Sequence, residues 1–385
     1  MPSRRKVIVA GALSSLALVG ATTDGRAQES GAAGTGGAVF AMSNATADNQ
    51  VVAYRRAADG RLTRAGTTST RGRGIGTDLD TTGALRLSAD RRFLYAANAG
   101  SNEVTVFSVN GTGLTFLQKV PAGDQPNSLT LHGNLLYILN GSVAGNGIRG
   151  FRVAGDGRLA PLPNSFRALS SPIAVPGQVQ FSPDGRALLV TQKTSNVLLR
   201  PQNAIDVFTV ASGGLASAVP RRVASAGLRP FSLDFRGDGT LVVVEAANAA
   251  PGKTTSSSYR LRSGGGLSVI SDAVGNGQTD GCWVVITRDG RYAYTSNFGS
   301  GTISSYRLGS SGELRLLEGR AASTGAGSQP VDLALSADGR FLYLLAAGLG
   351  GVAAFRIDEG GGLAPRGTVT GGLPVADGAS GLAAF

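Results

Sequence analysis

The residues able to do chemistry in this chain are those that break a local pattern. Leu241-Val242-Val243-Val244 is an apolar run, and Glu245 ends it. A carboxylate in such a place needs a partner or solvent, and it can serve as a proton acceptor. Lys193 stands where comparable stretches carry small residues, and Arg229 precedes another apolar segment. Two such cations can stabilise a developing oxyanion. Glu245, Arg229 and Lys193 are therefore the catalytic candidates. Gln178, Gln192, Trp283, Asp280, Asn98, Asn297 and Asp332 are the candidates for ligand contact. Trp283 is the sole tryptophan, suited to stacking on a sugar ring or to plugging a channel.

Several other chemistries are excluded. His132 is the only histidine and falls in a Leu131-His132-Gly133-Asn134 turn, so neither a Ser-His-Asp arrangement nor a multi-histidine metal site can form. Cys282 is the only cysteine, which rules out an intramolecular disulfide and a thiolate-rich metal site. Gly72, Gly74 and Gly76 precede a strand-like segment, unlike a phosphate loop, which opens a helix. No cofactor and no metal are expected. The formal charge is +11 over 385 residues, but no basic cluster dominates, so nucleic acid is not expected as a partner. Arg92, Arg186, Arg291 and Arg340 recur at one slot of a repeat and read as turn residues on a solvated face.

The elements that position these residues follow from that repeat. An aromatic followed by a glycine-rich turn and a leucine occurs seven times. The aromatics are Tyr54, Phe107, Phe151, Phe208, Tyr259, Tyr306 and Phe355; five of the seven leucines follow at eight residues and two at seven. A period near 50 residues signals a repeat architecture. Each unit reads as four short strands with period-2 alternation, broken by Gly, Asn and Asp. Ser182-Pro183-Asp184-Gly185-Arg186 and its counterparts are hairpin turns, because glycine there can take positive φ. The predicted fold is all-β: a seven-bladed β-propeller of four-stranded antiparallel blades. The repeated aromatics should fill the inter-blade core. Gly381-Leu382-Ala383-Ala384-Phe385 reads as an opening strand that completes the first blade and closes the ring. Loops before first strands and after second strands share one face, where the candidate site residues gather.

Residues 1–27 read as an export signal: basic Arg4-Arg5-Lys6, the apolar run Val7 to Val19, and Gly25-Arg26-Ala27 at the cleavage site. The paired arginines resemble a twin-arginine signal. Cleavage removes four basic residues and one acidic residue and leaves +8. Residues 28–36 read as a flexible linker and 37–385 as one propeller domain. The expected location is periplasmic or secreted, with no membrane span after signal removal, and the expected state is a monomer.

The Ser-Ala/Pro-Asp-Gly-Arg turn, the Asn-x-Gly-Ser loop and the Gly-x-Leu hairpin together resemble the lactonase family of seven-bladed propellers, which includes 6-phosphogluconolactonases and carboxymuconate-lactonizing enzymes. Gly74-Ile75-Gly76-Thr77-Asp78-Leu79 and Cys282-Trp283-Val284-Val285 resemble an exported bacterial branch. The resemblance implies a histidine, arginines and a glutamate at the mouth of the central channel. It carries over to Arg229 and to Glu245, which stands one position before the loop-asparagine slot. Where the family has its histidine, this chain reads Val175-Pro176-Gly177-Gln178. Two functions follow as expectations. One is hydrolysis of a sugar or other cyclic-ester lactone at the channel face, with Glu245 as base. The other is a non-catalytic propeller that binds a cell-envelope ligand or protein partner.

Overall fold

Short alternating segments separated by glycine and Asp-Gly turns cannot bury an apolar face alone. They do so by stacking as sheets around an axis. The computed structural model describes residues 36–142, 145–193, 203–375 and 378–385. The segment expected as an export signal lies outside them. Seven antiparallel sheets follow one another around the ring, and six of them are four-stranded. Helical structure among the described residues is confined to the two short turns Ala247–Ala249 and Ala347–Leu349. No helix among them is long and apolar enough to cross a membrane.

Blade five shows the pattern: Pro230–Phe235 innermost, then Thr240–Glu245, Thr255–Leu261 and Leu267–Gly275 outward. Blade one is assembled from both ends of the domain. Leu382–Ala384 lies innermost and pairs antiparallel with Gly37–Met42, as the sequence predicts. Blade three departs from the regular form. Its outer strand is split into Leu159–Pro161 and Arg167–Ala168, both paired with Gly147–Val153. Pro161 ends the first piece and Pro163 lies in the break, and proline cannot donate to a ladder.

The seven repeated aromatics are at most 3% exposed and sit in the hydrophobic core. A second tie between blades was not read from the sequence. Tyrosines in second strands reach into the outer hairpin of the following blade. Tyr95 donates to the Gly157 carbonyl at 3.0 Å, Tyr137 to Gly214 at 2.8 Å and Tyr294 to Gly361 at 2.9 Å. Tyr343 of blade seven donates to Gly60 of blade one at 3.2 Å, across the ring closure. The hairpin glycines need positive φ, and they also admit the neighbouring blade: a Cβ on Gly157 (φ +84) would stand 2.2 Å from the Phe93 ring. The expected turn arginines are on the surface, with Arg92 and Arg291 each 2.7 Å from the aspartate two residues earlier.

Candidate functional site

The innermost strands have no partner on their channel side, so their backbone groups must find other acceptors. Side chains of the preceding blade supply them. Ser128 accepts from the Val179 amide at 3.1 Å, Gln178 from Leu233 at 2.8 Å, Ser232 from Val284 at 2.9 Å and Asp234 from Ile286 at 2.8 Å. Asp332 accepts from Gly381 at 2.6 Å and from Gly83 at 3.3 Å, which ties blade seven to blades one and two. Burial pushes the Asp332 carboxyl up to about 6, against these two amides and Arg86. Gln178 and Asp332 were expected to contact ligand. The structure spends them on the ring instead, at 2% and 3% exposure.

The last residue of each second strand forms a further set. Asn98, Asn140, Gln192, Glu245 and Asn297 occupy one register position, each opposite the start of the third strand. Glu245 therefore fills the asparagine slot itself, which corrects the one-residue offset read from the sequence. These side chains are buried in polar seams. Asn98 Oδ1 accepts from Asn49 at 2.9 Å and from Thr70 at 2.7 Å, and its Nδ2 donates to Thr105 at 2.9 Å. Asn297 donates to Ser304 at 2.9 Å and accepts from Asn276 at 3.1 Å. Gln192 donates to Ser170 at 2.9 Å. Asn98, Asn297 and Gln192 were expected to meet ligand, yet all three are fully buried and bonded within the protein.

Glu245 follows the same rule. Its Oε2 accepts from Thr255 Oγ1 at 2.7 Å, while Oε1 has no hydrogen-bond partner. Burial pushes its carboxyl up to about 7; the Ser257 and Thr255 hydroxyls and the Gly227 amide pull the other way, and Asp272 adds to the rise. All of these groups lie on the outer strands or the approach to blade five. Among the described residues no hydrogen bond or ion pair joins Glu245 to Lys193 or Arg229.

Two of the three do converge, on Asp80, which lies in the loop before the first strand of blade two. Lys193 Nζ lies 2.6 Å from Asp80 Oδ2 and also donates to the Asp80 carbonyl. Arg229 Nη2 lies 3.6 Å from the same carboxylate oxygen. Lys193 is 2% exposed, with its ammonium 4.3 Å above the Phe231 ring. Burial lowers its pKa and Asp80 opposes that fall. Arg229 and Asp280 both hold left-handed backbone before a first strand, as do Gln125 and Gln329 in other blades. This strain therefore belongs to the repeat. Burial raises the Asp280 carboxyl, with Arg229 opposing. Cys282 Sγ donates to Asp280 Oδ1 at 3.5 Å, and burial pushes its thiol well up, which leaves no thiolate nucleophile.

Trp283 forms the floor beneath this group. It is 1% exposed, 5.1 Å from the Phe231 ring, and donates from Nε1 to the Thr81 carbonyl at 3.2 Å. The Trp283 ring is thus enclosed by protein, between Phe231 and Phe298. The Asp78–Thr82 segment runs across the mouth: Thr82 also donates to Gly177 of blade four at 3.0 Å. His132 lies on the opposite face, in a first hairpin, with Nε2 3.1 Å from the Pro183 carbonyl. No group of three or more His, Cys, Asp or Glu among the described residues is placed to hold a metal.

With this geometry in hand, the chain matches the lactonase, 7-bladed beta-propeller family over residues 45–175 and 244–370. It belongs to that family. Solved structures agree on the fold. A Bacteroides fragilis protein assigned as a 6-phosphogluconolactonase superposes with a TM-score of 0.69 at 18% identity, covering 90% of this chain and 97% of the other. The periplasmic gluconolactonase of Pseudomonas aeruginosa gives 0.68 at 18% identity, covering 91% and 99%. At such identities the likeness is one of fold alone. No curated protein sequence matches this chain. Within the lactonase-family frame, the mouth of this propeller carries Lys193, Arg229, Asp80 and Asp280 and lacks a histidine.

Proposed function

We propose that this lactonase-family propeller hydrolyses a cyclic ester, of a sugar or a related hydroxy acid, at the Asp80-bearing mouth. The observation that supports this most is the Arg229 guanidinium, 3.6 Å from Asp80 and electrostatically coupled to Asp280. In this reading Asp280, made more basic by burial, takes a proton from the water as its oxygen bonds to the ester carbon, and returns that proton to the ring oxygen as the ring C–O bond breaks, giving the hydroxy acid. Arg229 stabilises the oxyanion formed at the ester carbon. Asp80, held by the buried Lys193, positions Arg229. Turnover on a panel of aldono- and aromatic lactones tests it. Arg229→Gln should lower kcat/KM by about 10²–10³-fold, and Asp280→Asn by about 10²–10⁴-fold. No wild-type turnover above buffer overturns the reading. Loss of turnover in Glu245→Gln with Asp280→Asn unaffected overturns the assignment of the base.

The burial of Glu245 in a seam favours a second reading, a propeller that binds its ligand at this mouth without turning it over. Saturable lactone binding with no hydrolysis selects it. In both readings the protein acts outside the cytoplasm, on the strength of Arg4-Arg5 and the apolar run Val7 to Val19. Cell fractionation with and without residues 1–27 tests the export.

A further inference from the structure

The channel has a second mouth, on the hairpin face opposite Asp80. A cavity of about 600 Å³ opens there, lined by parts of blades one, two, five, six and seven. One register position of the innermost strands contributes Ala383, Arg86, Asp234, Val285 and Ala334 to its wall. Around the ring that position carries Ala383, Arg86, Thr130, Gln180, Asp234, Val285 and Ala334, each opposite the matching residue of its second strand. The position is polar in blades two to five and small or apolar in blades six, seven and one. Alanine or valine suffices in three blades, so the fold does not require a cation at Arg86.

Arg86 is the informative member. Its Nε donates to the Leu129 carbonyl at 3.0 Å and its Nη2 to Gln180 Oε1 at 3.4 Å, both neutral acceptors. Among the described residues no carboxylate forms an ion pair with it, and no hydrogen bond occupies its Nη1. Asp234, the acid on the same ring, already accepts from Gln180 at 3.1 Å, from Phe235 at 2.9 Å and from Ile286 at 2.8 Å. Asp332 and Asp234 support the charge of Arg86 from a distance, against burial. Arg91 and Arg288 also line the cavity, so its charged side chains are three arginines and the hydrogen-bonded Asp234. A partly buried guanidinium with a free edge, a basic rim and an apolar opposite wall are complementary to an acid carrying an apolar body.

We propose that this cavity is a second ligand site, which takes a small organic acid with its carboxylate on Arg86 and its apolar body against Val285, Ala334 and Ala383. It is separate from the Asp80 mouth, because the plug of Trp283 and the Asp332 level of the inner strands lie between them. The site therefore stands or falls apart from the lactone reading.

Hexanoate is the probe, with hexanol and methyl hexanoate as its neutral counterparts. Trp283, the only tryptophan, reports by fluorescence from the same inner strand as Val285, and calorimetry reads the affinity. Hexanoate should bind saturably at ~1 mM or tighter, and the neutral compounds should not. Arg86→Gln should weaken hexanoate by at least about tenfold. Ala334→Phe fills the cavity and leaves the partners of Arg86 in place; it should abolish binding in a protein with unchanged circular dichroism. Absence of saturable hexanoate binding overturns the proposal, as does binding undiminished in Ala334→Phe. If Arg86→Gln does not fold, Ala334→Phe decides alone.

Discussion

Lys193 and Asp80 stand 113 residues apart in sequence, yet the ammonium lies 2.6 Å from the carboxylate, across the mouth of the ring. The pair is unequal, since the lysine side chain is 1% exposed and the aspartate 44%. Removing the aspartate leaves a buried, unpaired ammonium, whereas removing the lysine leaves a carboxylate that water can reach. Asp80→Asn should therefore cost about 3 kcal/mol or more, and Lys193→Met about 1 kcal/mol or less. Urea unfolding followed by Trp283 fluorescence measures both. Equal costs would show that the lysine is not buried as described.

Glu245 makes stability depend on pH. Its folded pKa of about 7 lies above the ordinary 4.5, so the folded state holds its proton more tightly than the unfolded state does. The contribution is then fully present below about pH 4.5 and is lost as pH rises through about 7. Glu245→Gln should match the wild type at about pH 4. It should exceed the wild type at about pH 8 by about 3 kcal/mol, the equivalent of this shift. Parallel denaturation midpoints at the two pH values check it, and a variant equally destabilised at both removes the premise.

Asp332, pushed up to about 6 from 3.8, has the same sign over a lower window. Its ionisation in the folded ring lowers stability as pH rises from about 4 to about 6. Because the carboxylate also accepts from Gly381 and Gly83, Asp332→Asn keeps one acceptor and should lessen the pH slope, while Asp332→Ala leaves two buried amides bare. The alanine variant should lose about 2–4 kcal/mol at all pH values, read from the same unfolding curves.

The contrast between Tyr259 and Glu245 shows what the sequence could and could not disclose. Tyr259 is one of seven aromatics at a fixed place in a repeat near 50 residues long, and such a place can only be the shared core. Strand order, hairpins and the closing strand follow from the same periodicity. Glu245 looks like chemistry because it is a charge where the repeat has asparagine. Which way a strand-end side chain points is set by the neighbouring blade, through Gly227 and Thr255, and no local pattern encodes that. Asp80 was harder to select, since the loop before a first strand carries a different polar residue in each blade, Arg229, Asp280 and Gln329 among them, and no local pattern ranks them. Lys193 was legible as an exception to small residues at its position, although its partner was not.

Gly157 tests the blade-to-blade contact. A Cβ there would stand 2.2 Å from the Phe93 ring, at a φ of +84 that alanine rarely adopts. Gly157→Ala must therefore displace blade two from blade three as well as strain its own turn. It should destabilise by about 2–4 kcal/mol. Gly111→Ala also carries a positive φ (+58), but a Cβ there meets nothing within 4 Å, so it should cost only about 1 kcal/mol. The difference between the two, measured by chemical denaturation, isolates the packing part; similar losses would argue that Phe93 does not lean on this hairpin.

Ring closure rests on very few residues. Leu382–Ala384 pairs with Gly37–Met42, Phe385 donates its amide to Ala38 at 2.9 Å, and Arg56 Nε donates to the Phe385 carbonyl at 3.2 Å. The Phe385 ring adds a contact with Phe40 at 6.3 Å. Deleting residues 379–385 strips Gly37–Met42 of its inner partner and leaves an unpaired strand edge facing the channel. It also removes the Gly381 amide from Asp332. The expected outcome is loss of cooperative unfolding together with concentration-dependent association, seen by size-exclusion chromatography and light scattering. Supplying Gly381–Phe385 as a separate peptide should restore the monomeric elution, because Gly37–Met42 keeps the backbone groups that pair with it. A truncated chain that stays monomeric and unfolds cooperatively would mean that blade one closes without it.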